Sequence, residues 1–271
     1  MTTATMRPAA VAGSFYPGNT RALSAAVGDM LADTRTPEAP AKALIVPHAG
    51  YVYSGPVAAS AYAALRKSAM AIRRAIRRVV IFGPAHRVWV PGLAATSADL
   101  FETPLGCVRV DRAAIEAVAD LPQVEINDKA HATEHSLEVQ LPFLQGVLDD
   151  FAIVPFVVGG ATPDEVAEVM ERLWGGPETL IVVSSDLSHY LPYAEAQEID
   201  RATADSILRR HALGDHEQAC GATPINGLLE VARRRNLTPT LLDLRNSGDT
   251  AGDKSRVVGY AAFTFTEAAD D

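Results

Sequence analysis

Cysteine is scarce: Cys107 and Cys220 are the only two in 271 residues. They lie far apart and form no CxxC pair, so neither a disulfide framework nor a zinc ribbon is indicated. No window approaches the roughly 20 apolar residues a membrane span requires. The stretch from Met1 to Pro8 has neither the basic start nor the apolar run of a signal peptide. Positive charge is in the minority, 24 Lys and Arg against 33 Asp and Glu, for a net charge of −9. A role resting on broad electrostatic attraction to nucleic acid is therefore not expected. GxGxxG, Walker-loop and GxSxG patterns are missing, which argues against nucleotide binding and serine hydrolysis. No solenoid repeat or low-complexity tract occurs. The expectation is a protein of the reducing cytoplasm without a membrane or nucleic-acid partner, its oligomeric state left open.

What is present is the material of an ordinary globular core, with 48% hydrophobic and 21% charged residues. Short, continuously apolar runs occur at 43–46, 79–82, 153–157 and 180–183, as expected of strands buried on both faces. Amphipathic stretches at 21–32, 56–66, 112–119, 136–148 and 163–173 predict helices. Ser54 with Pro56 and Thr162 with Pro163 read as helix starts. Two more helices are predicted at 194–210 and 224–234, before strands at 238–244 and 257–266. The proline-bearing segment Thr34 to Pro40 reads as a surface loop rather than a linker. The alternation predicts one domain over residues 1–271, its core about 7–266. Its fold class is α/β, a three-layer α/β/α arrangement around a mostly parallel or mixed sheet.

Three of those strands run into ionisable loops. The first leads to Pro47-His48-Ala49-Gly50-Tyr51, the second to Gly83-Pro84-Ala85-His86-Arg87, and the fourth to Ser184-Ser185-Asp186-Leu187-Ser188-His189-Tyr190. In open α/β sheets ligands bind beyond the carboxyl ends of strands, so three histidines in one topological position predict a shared site. A single histidine after a strand is usually only a hydrogen-bonded loop residue. Gly50 and Gly83 permit tight turns or close backbone approach, and Pro47 and Pro84 stiffen the presentation.

If Asp186 to His189 begins a helical turn, the two side chains share one side, and the carboxylate can orient the imidazole for proton transfer or join it on a metal. The plainer alternative is that Asp186 caps the next helix. Glu134 and His135, with Glu138, sit at a predicted helix start and are further candidates, although acidic residues there also complement the helix dipole. Cys220 precedes a predicted helix N-terminus, which favours its thiolate, while buried cysteines are more often inert. Cys107 reads as a strand or core residue. Tyr51, Tyr53 and Tyr190 lie beside the histidines, where they can line a pocket.

Five stretches in order, 12–17, 47–55, 83–86, 134–138 and 184–189, resemble the Memo family, also called AmmeMemoRadiSam system protein B. The resemblance spans roughly residues 7 to 265 and implies a fold like that of the class III extradiol ring-cleaving dioxygenases. It implies metal ligation by His48, His86 and Cys220, and an acid/base role for His189. The implied metal is iron(II), with copper or zinc as alternatives because a thiolate replaces the dioxygenases' carboxylate and softens the site. Arg87 stands where a second histidine often follows. The catalytic candidates are thus His189, Asp186, His135 and Glu134. The implied function is metal-dependent, dioxygenase-like oxidation of a small organic substrate. The alternatives are a binding protein that takes a peptide or anionic ligand in the same pocket, and a copper- or iron-binding protein without turnover.

Overall fold

A computed structural model describes residues 4–34, 41–67 and 70–267 of the chain. The first third carries β1 (Met6–Arg7), α1 (Thr20–Ala32), β2 (Ala43–Val46), α2 (Tyr51–Lys67), α3 (Met70–Ala75) and β3 (Arg78–Pro84). The middle carries β4 (Leu93–Ala95), β5 (Leu100–Thr103), β6 (Gly106–Val110), α4 (Arg112–Glu116), β7 (Val124–Ile126) and α5 (Asp128–Ala132). A 3-10 turn (Glu138–Gln140), α6 (Leu141–Val147), β8 (Ala152–Val158), α7 (Pro163–Arg172) and β9 (Thr179–Ser184) follow. The chain closes with β10 (His189–Leu191), α8 (Tyr193–Leu208), α9 (Ala222–Arg234), β11 (Thr238–Asn246), α10 (Ser247–Thr250) and β12 (Val257–Thr266).

The strands form one mixed sheet in the order β1-β5-β6-β8-β3-β9-β2-β12-β10, with β11 on the other side of β12 and β4 joining β8 to β7. From β6 to β2 the five central strands are parallel. The antiparallel β12 then pairs Phe263–Phe265 with β2, Gly259–Thr266 with β11, and Val257 and Val258 with β10. Residues 43–46 and 180–183 are fully buried, as continuous apolar runs covered on both faces must be. Helices α1, α2 and α6 pack together as one layer, α7 and α9 as another, and α8 lies against β11 and β12. The result is the predicted three-layer α/β/α fold.

Local differences have physical causes. Helix α2 starts at Tyr51, five residues before Pro56, because the Phe15 carbonyl takes the Tyr51 N–H and Gly50 accepts from Ser54. Pro56 therefore sits inside the helix. The helix predicted at 136–148 is a 3-10 turn followed by α6, since Glu138 and Gln140 turn inward and Pro142 falls in the first turn of α6. Helix α7 begins as read, with a capping box between Thr162 and Glu165. Cys107 lies on β6 but is exposed, so it is not a core residue. Of the loop read at Thr34 to Pro40, residues 35–40 lie outside the described residues. Among the described residues no helix is long and apolar enough to cross a membrane.

At the opposite end of the sheet from the histidines, buried Lys42 donates to the carbonyls of Trp174, Gly176 and Thr179, each at 2.7 Å. Burial pulls its ammonium down to about 8. Lys42→Met is expected to cost about 3 kcal/mol in urea unfolding, because it leaves three carbonyls without their donor. A loss well under 1 kcal/mol would show that water replaces the ammonium without penalty.

Candidate metal centre

The sheet order places β3, β9 and β2 side by side, so the loops that follow them converge. His48 and His86 each lie two residues beyond their strands, and Asp186 two beyond β9. His135 comes from the other direction, on the segment leading into the 3-10 turn. That segment can lie on β3 because residue 83 is glycine: a Cβ there would meet Ser136 Oγ at 2.6 Å. Gly221 has the same function beneath Cys220, where a Cβ would meet Ser185 Cβ at 2.7 Å. Gly50 serves no such purpose, since a Cβ there would make ordinary contacts.

Ligand atoms of His48, His86 and His135 all lie within 4.8 Å of one another. The rings are 5.1 Å apart for His48 and His86, 5.4 Å for His48 and His135, and 4.6 Å for the stacked pair His86 and His135. Cys220 stands beside this group, its Sγ 3.3 Å from His48 Nε2. The set implied by the resemblance was His48, His86 and Cys220. The structure brings His135 into the ring of ligand atoms and puts the thiol against one imidazole.

Hydrogen bonding determines which nitrogens are free. The single Ser184 hydroxyl proton goes to the Ser136 carbonyl at 2.6 Å, which can only accept. Ser184 Oγ also accepts from Gln140 Nε2 at 2.8 Å, and the Gln140 amide is itself held by Pro47 O and the Tyr62 hydroxyl. His48 Nδ1, 3.0 Å from Ser184 Oγ, must then be the donor, leaving the lone pair on Nε2. In the same way His86 Nδ1 donates to Glu134 Oε1 at 2.9 Å. That carboxylate further accepts the backbone N–H groups of His86, His135 and Ser136. Burial opposes its ionisation, but the His86 hydrogen bond and charge, with those N–H groups, outweigh it and hold Glu134 down to about 2. A carboxylate behind an imidazole fixes the ring and raises its basicity as a ligand.

His135 Nδ1 is buried without a hydrogen-bond partner, 3.4 Å from Glu134 Oε1 but out of alignment. Burial lowers His135 to about 4, lowers His48 well below its ordinary value, and lowers His189 as well. The residues fit a cation: two lone pairs are aimed by their hydrogen bonds, a third imidazole is neutral and incompletely partnered, and an anionic carboxylate lies directly behind.

The remaining candidates occupy different stations. Asp186 does not begin a helical turn, since 186–188 are irregular and His189 opens β10. Nor does it cap the next helix. Its Oδ1 accepts from His48 N at 2.7 Å and Ala49 N at 3.3 Å, so it holds the His48 loop rather than orienting His189. Burial pushes it up to about 7. His189 flanks the cluster outside the group of mutually close ligand atoms. Cys220 is pushed up to about 12 by burial and the Asp186 carboxylate, which overcome the helix dipole invoked from sequence. Tyr51 is buried with its hydroxyl on Val139 O, whereas Tyr53 and Tyr190 are exposed. Ser184, Gln140 and Phe15 were missed as site residues. Phe15, whose ring lies 4.6 Å from that of His135, was signalled only by its place in the 12–17 stretch.

Residues 7–264 match the profile of the Memo-like proteins. The chain belongs to the Memo family. Curated relatives agree along its length. A MEMO1 family protein of Ignicoccus hospitalis is 38% identical, covering 96% of this chain and 98% of its own length. One from Methanosarcina barkeri is 36% identical over 95% and 98%, and one from Aquifex aeolicus 35% over 96% and 99%. For this Memo chain the neutral histidines make a pH prediction. His131, buried and also lowered to about 4 by burial, behaves like His135. Each stays unprotonated in the fold where the unfolded chain is protonated, so stability is full above about 6.5 and is lost as pH falls toward 4. Each contributes a slope of about 1.4 kcal/mol per pH unit in that window. Urea titrations across it are expected to show His131→Asn flattening the slope; an unchanged slope would refute the assignment.

Proposed function

We propose that this Memo-family chain binds a transition-metal ion through His48, His86 and His135, with Cys220 alongside, and serves as a dioxygenase-like centre for a small organic substrate. The observation that carries the reading is three imidazoles with ligand atoms mutually within 4.8 Å, two of them with the Nε2 lone pair defined by a hydrogen bond from Nδ1. Iron(II) is the first choice of ion, and it would supply coordination positions for substrate and dioxygen. The chain's own groups do the rest. Glu134 and Ser184 hold the ligand tautomers, Asp186 holds the backbone of His48, and His189, which couples electrostatically to His48 and His86, is the group proposed to move a proton.

The contact between Cys220 Sγ and His48 Nε2 favours a second reading, in which the site takes a softer ion such as copper. An anion-binding pocket without metal fits less well, because His48, His135 and His189 are all held neutral by burial. The test is elemental analysis of protein purified without an affinity tag, beside His48→Ala, His135→Ala and Cys220→Ser. About one iron per chain, lost in both histidine variants, is the expected result and would justify an oxygen-consumption screen on catechol-like compounds. Copper that depends on Cys220 would select the second reading. Wild-type protein that is metal-free and takes up neither ferrous nor cuprous ion would end both.

A further inference from the structure

Away from the histidines, a groove of about 690 Å³ runs between α1, α2 and β11, bordered by Asp29, Met30, Ser60, Leu241, Leu242 and Asp243. A second cavity of about 530 Å³ shares Asp29 and Met30 with it and continues to Phe15, Pro17, Tyr51 and Val52. Both lie against the same stretch of α1, and one wall of the first is β11. Among the described residues β11 pairs only with β12, and four consecutive β11 residues, Thr240 to Asp243, all border the groove. The β12 register shifts between Leu241 and Asp243, so neighbouring side chains turn to the same groove, and the edge of β11 away from β12 has no strand partner among the described residues. Leu241 and Leu242 are only partly buried there.

We propose that this groove takes an extended segment of a partner protein that carries basic residues, adding as a strand to β11 and seating an apolar side chain in the neighbouring cavity at Phe15. Edge addition supplies main-chain hydrogen bonds, while side-chain pockets supply choice. Charge selects the sign of the occupant. Asp29 and Asp33 are exposed, one helical turn apart on the α1 wall, and neither is ion-paired among the described residues. Asp243 is paired with Arg245, which also borders the groove and balances it, so the uncompensated charge is that of Asp29 and Asp33. The apolar end is made by Phe15, Pro17, Met30 and Val52, the last 67% exposed. A second copy of this chain, itself at −9, would bring acids against acids.

The test uses the whole chain and fluorescence anisotropy with two short capped peptides. Both alternate with valine and end in phenylalanine, one carrying lysines and the other glutamates, at about 0.15 M salt. The lysine peptide is expected to bind at least about tenfold more tightly than its glutamate twin. Asp29→Lys with Asp33→Lys should remove that preference. Glu195→Lys with Glu198→Lys on α8, an equal change in net charge, should leave it. Binding that falls equally in both double variants would mean nonspecific attraction to an acidic protein and overturn the proposal, as would no binding at all. Light scattering that shows a dimer broken by the α1 substitutions would overturn it in favour of a second copy as occupant.

Discussion

Glu138→Ala is expected to destabilise the fold by about 3–5 kcal/mol, the range for breaking a buried ion pair from one side. Glu138 is fully buried and gathers four donors: the Arg7 guanidinium, the Tyr16 hydroxyl, and the backbone N–H groups of Ala10 and Val11. Arg7 is buried too, and its other nitrogens donate to the carbonyls of His131 and Glu134. Removing the carboxylate strands a guanidinium away from water and frees the segment that carries Phe15. The Phe15 carbonyl holds Tyr51 N at 2.7 Å at the start of α2, so the damage reaches the loop after His48. Breaking Arg109 from Asp150, where both side chains are more than 60% exposed, should cost no more than about 1 kcal/mol. Urea unfolding followed by tryptophan fluorescence measures both. Equal losses for the two variants would show that burial of the pair does not matter.

Glu134→Gln is expected to weaken metal binding by about 10–100-fold with the fold retained. The carboxylate accepts on both oxygens, from His86 Nδ1 and the N–H groups of His135 and Ser136 on one, and from His86 N on the other. An amide has only one acceptor oxygen. With its NH₂ at the Oε1 position it faces His86 Nδ1, and the relief open to His86 is to move its proton from Nδ1 to Nε2, which covers the lone pair a metal needs. With its NH₂ at the Oε2 position it faces the His86 backbone N–H, and the loop that carries the ligand must shift. Competition against a chelator for zinc or ferrous ion reads the affinity, and nitrogen NMR of the imidazole reads the tautomer. A tautomer change without a loss of affinity would remove His86 from the ligand set. An intact tautomer would show that Glu134 does not determine it.

Much of the architecture was legible along the chain. The runs at 43–46, 79–82, 153–157 and 180–183 read as buried strands because both faces of a central parallel strand are covered, and their continuous apolar character records it. His48, His86 and Asp186 were found for a related reason, since polar residues directly after such runs have only the sheet's carboxyl edge to occupy. The short strands β4, β5, β7 and β10 left no comparable mark. They are only three or four residues long, so pairing rather than periodicity makes them strands. The helical reading of Asp186 to His189 failed because the backbone there is used by neighbours: Gly259 O accepts Leu187 N, and Asp200 accepts Ser188 N.

By itself the sequence determined the fold class, the family and the inventory of chemistry, all properties of local pattern or of residue type in order. Tertiary structure alone decided who meets whom. His135 joins His48 and His86 because Gly83 lets its segment lie on β3, and Cys220 reaches His48 because Gly221 lies against Ser185. Burial then set the charge states, turning a thiol that a helix terminus favours as thiolate into one pushed up to about 12. Desolvation and hydrogen-bond direction depend on every neighbour in three dimensions, and no spacing along one chain encodes them.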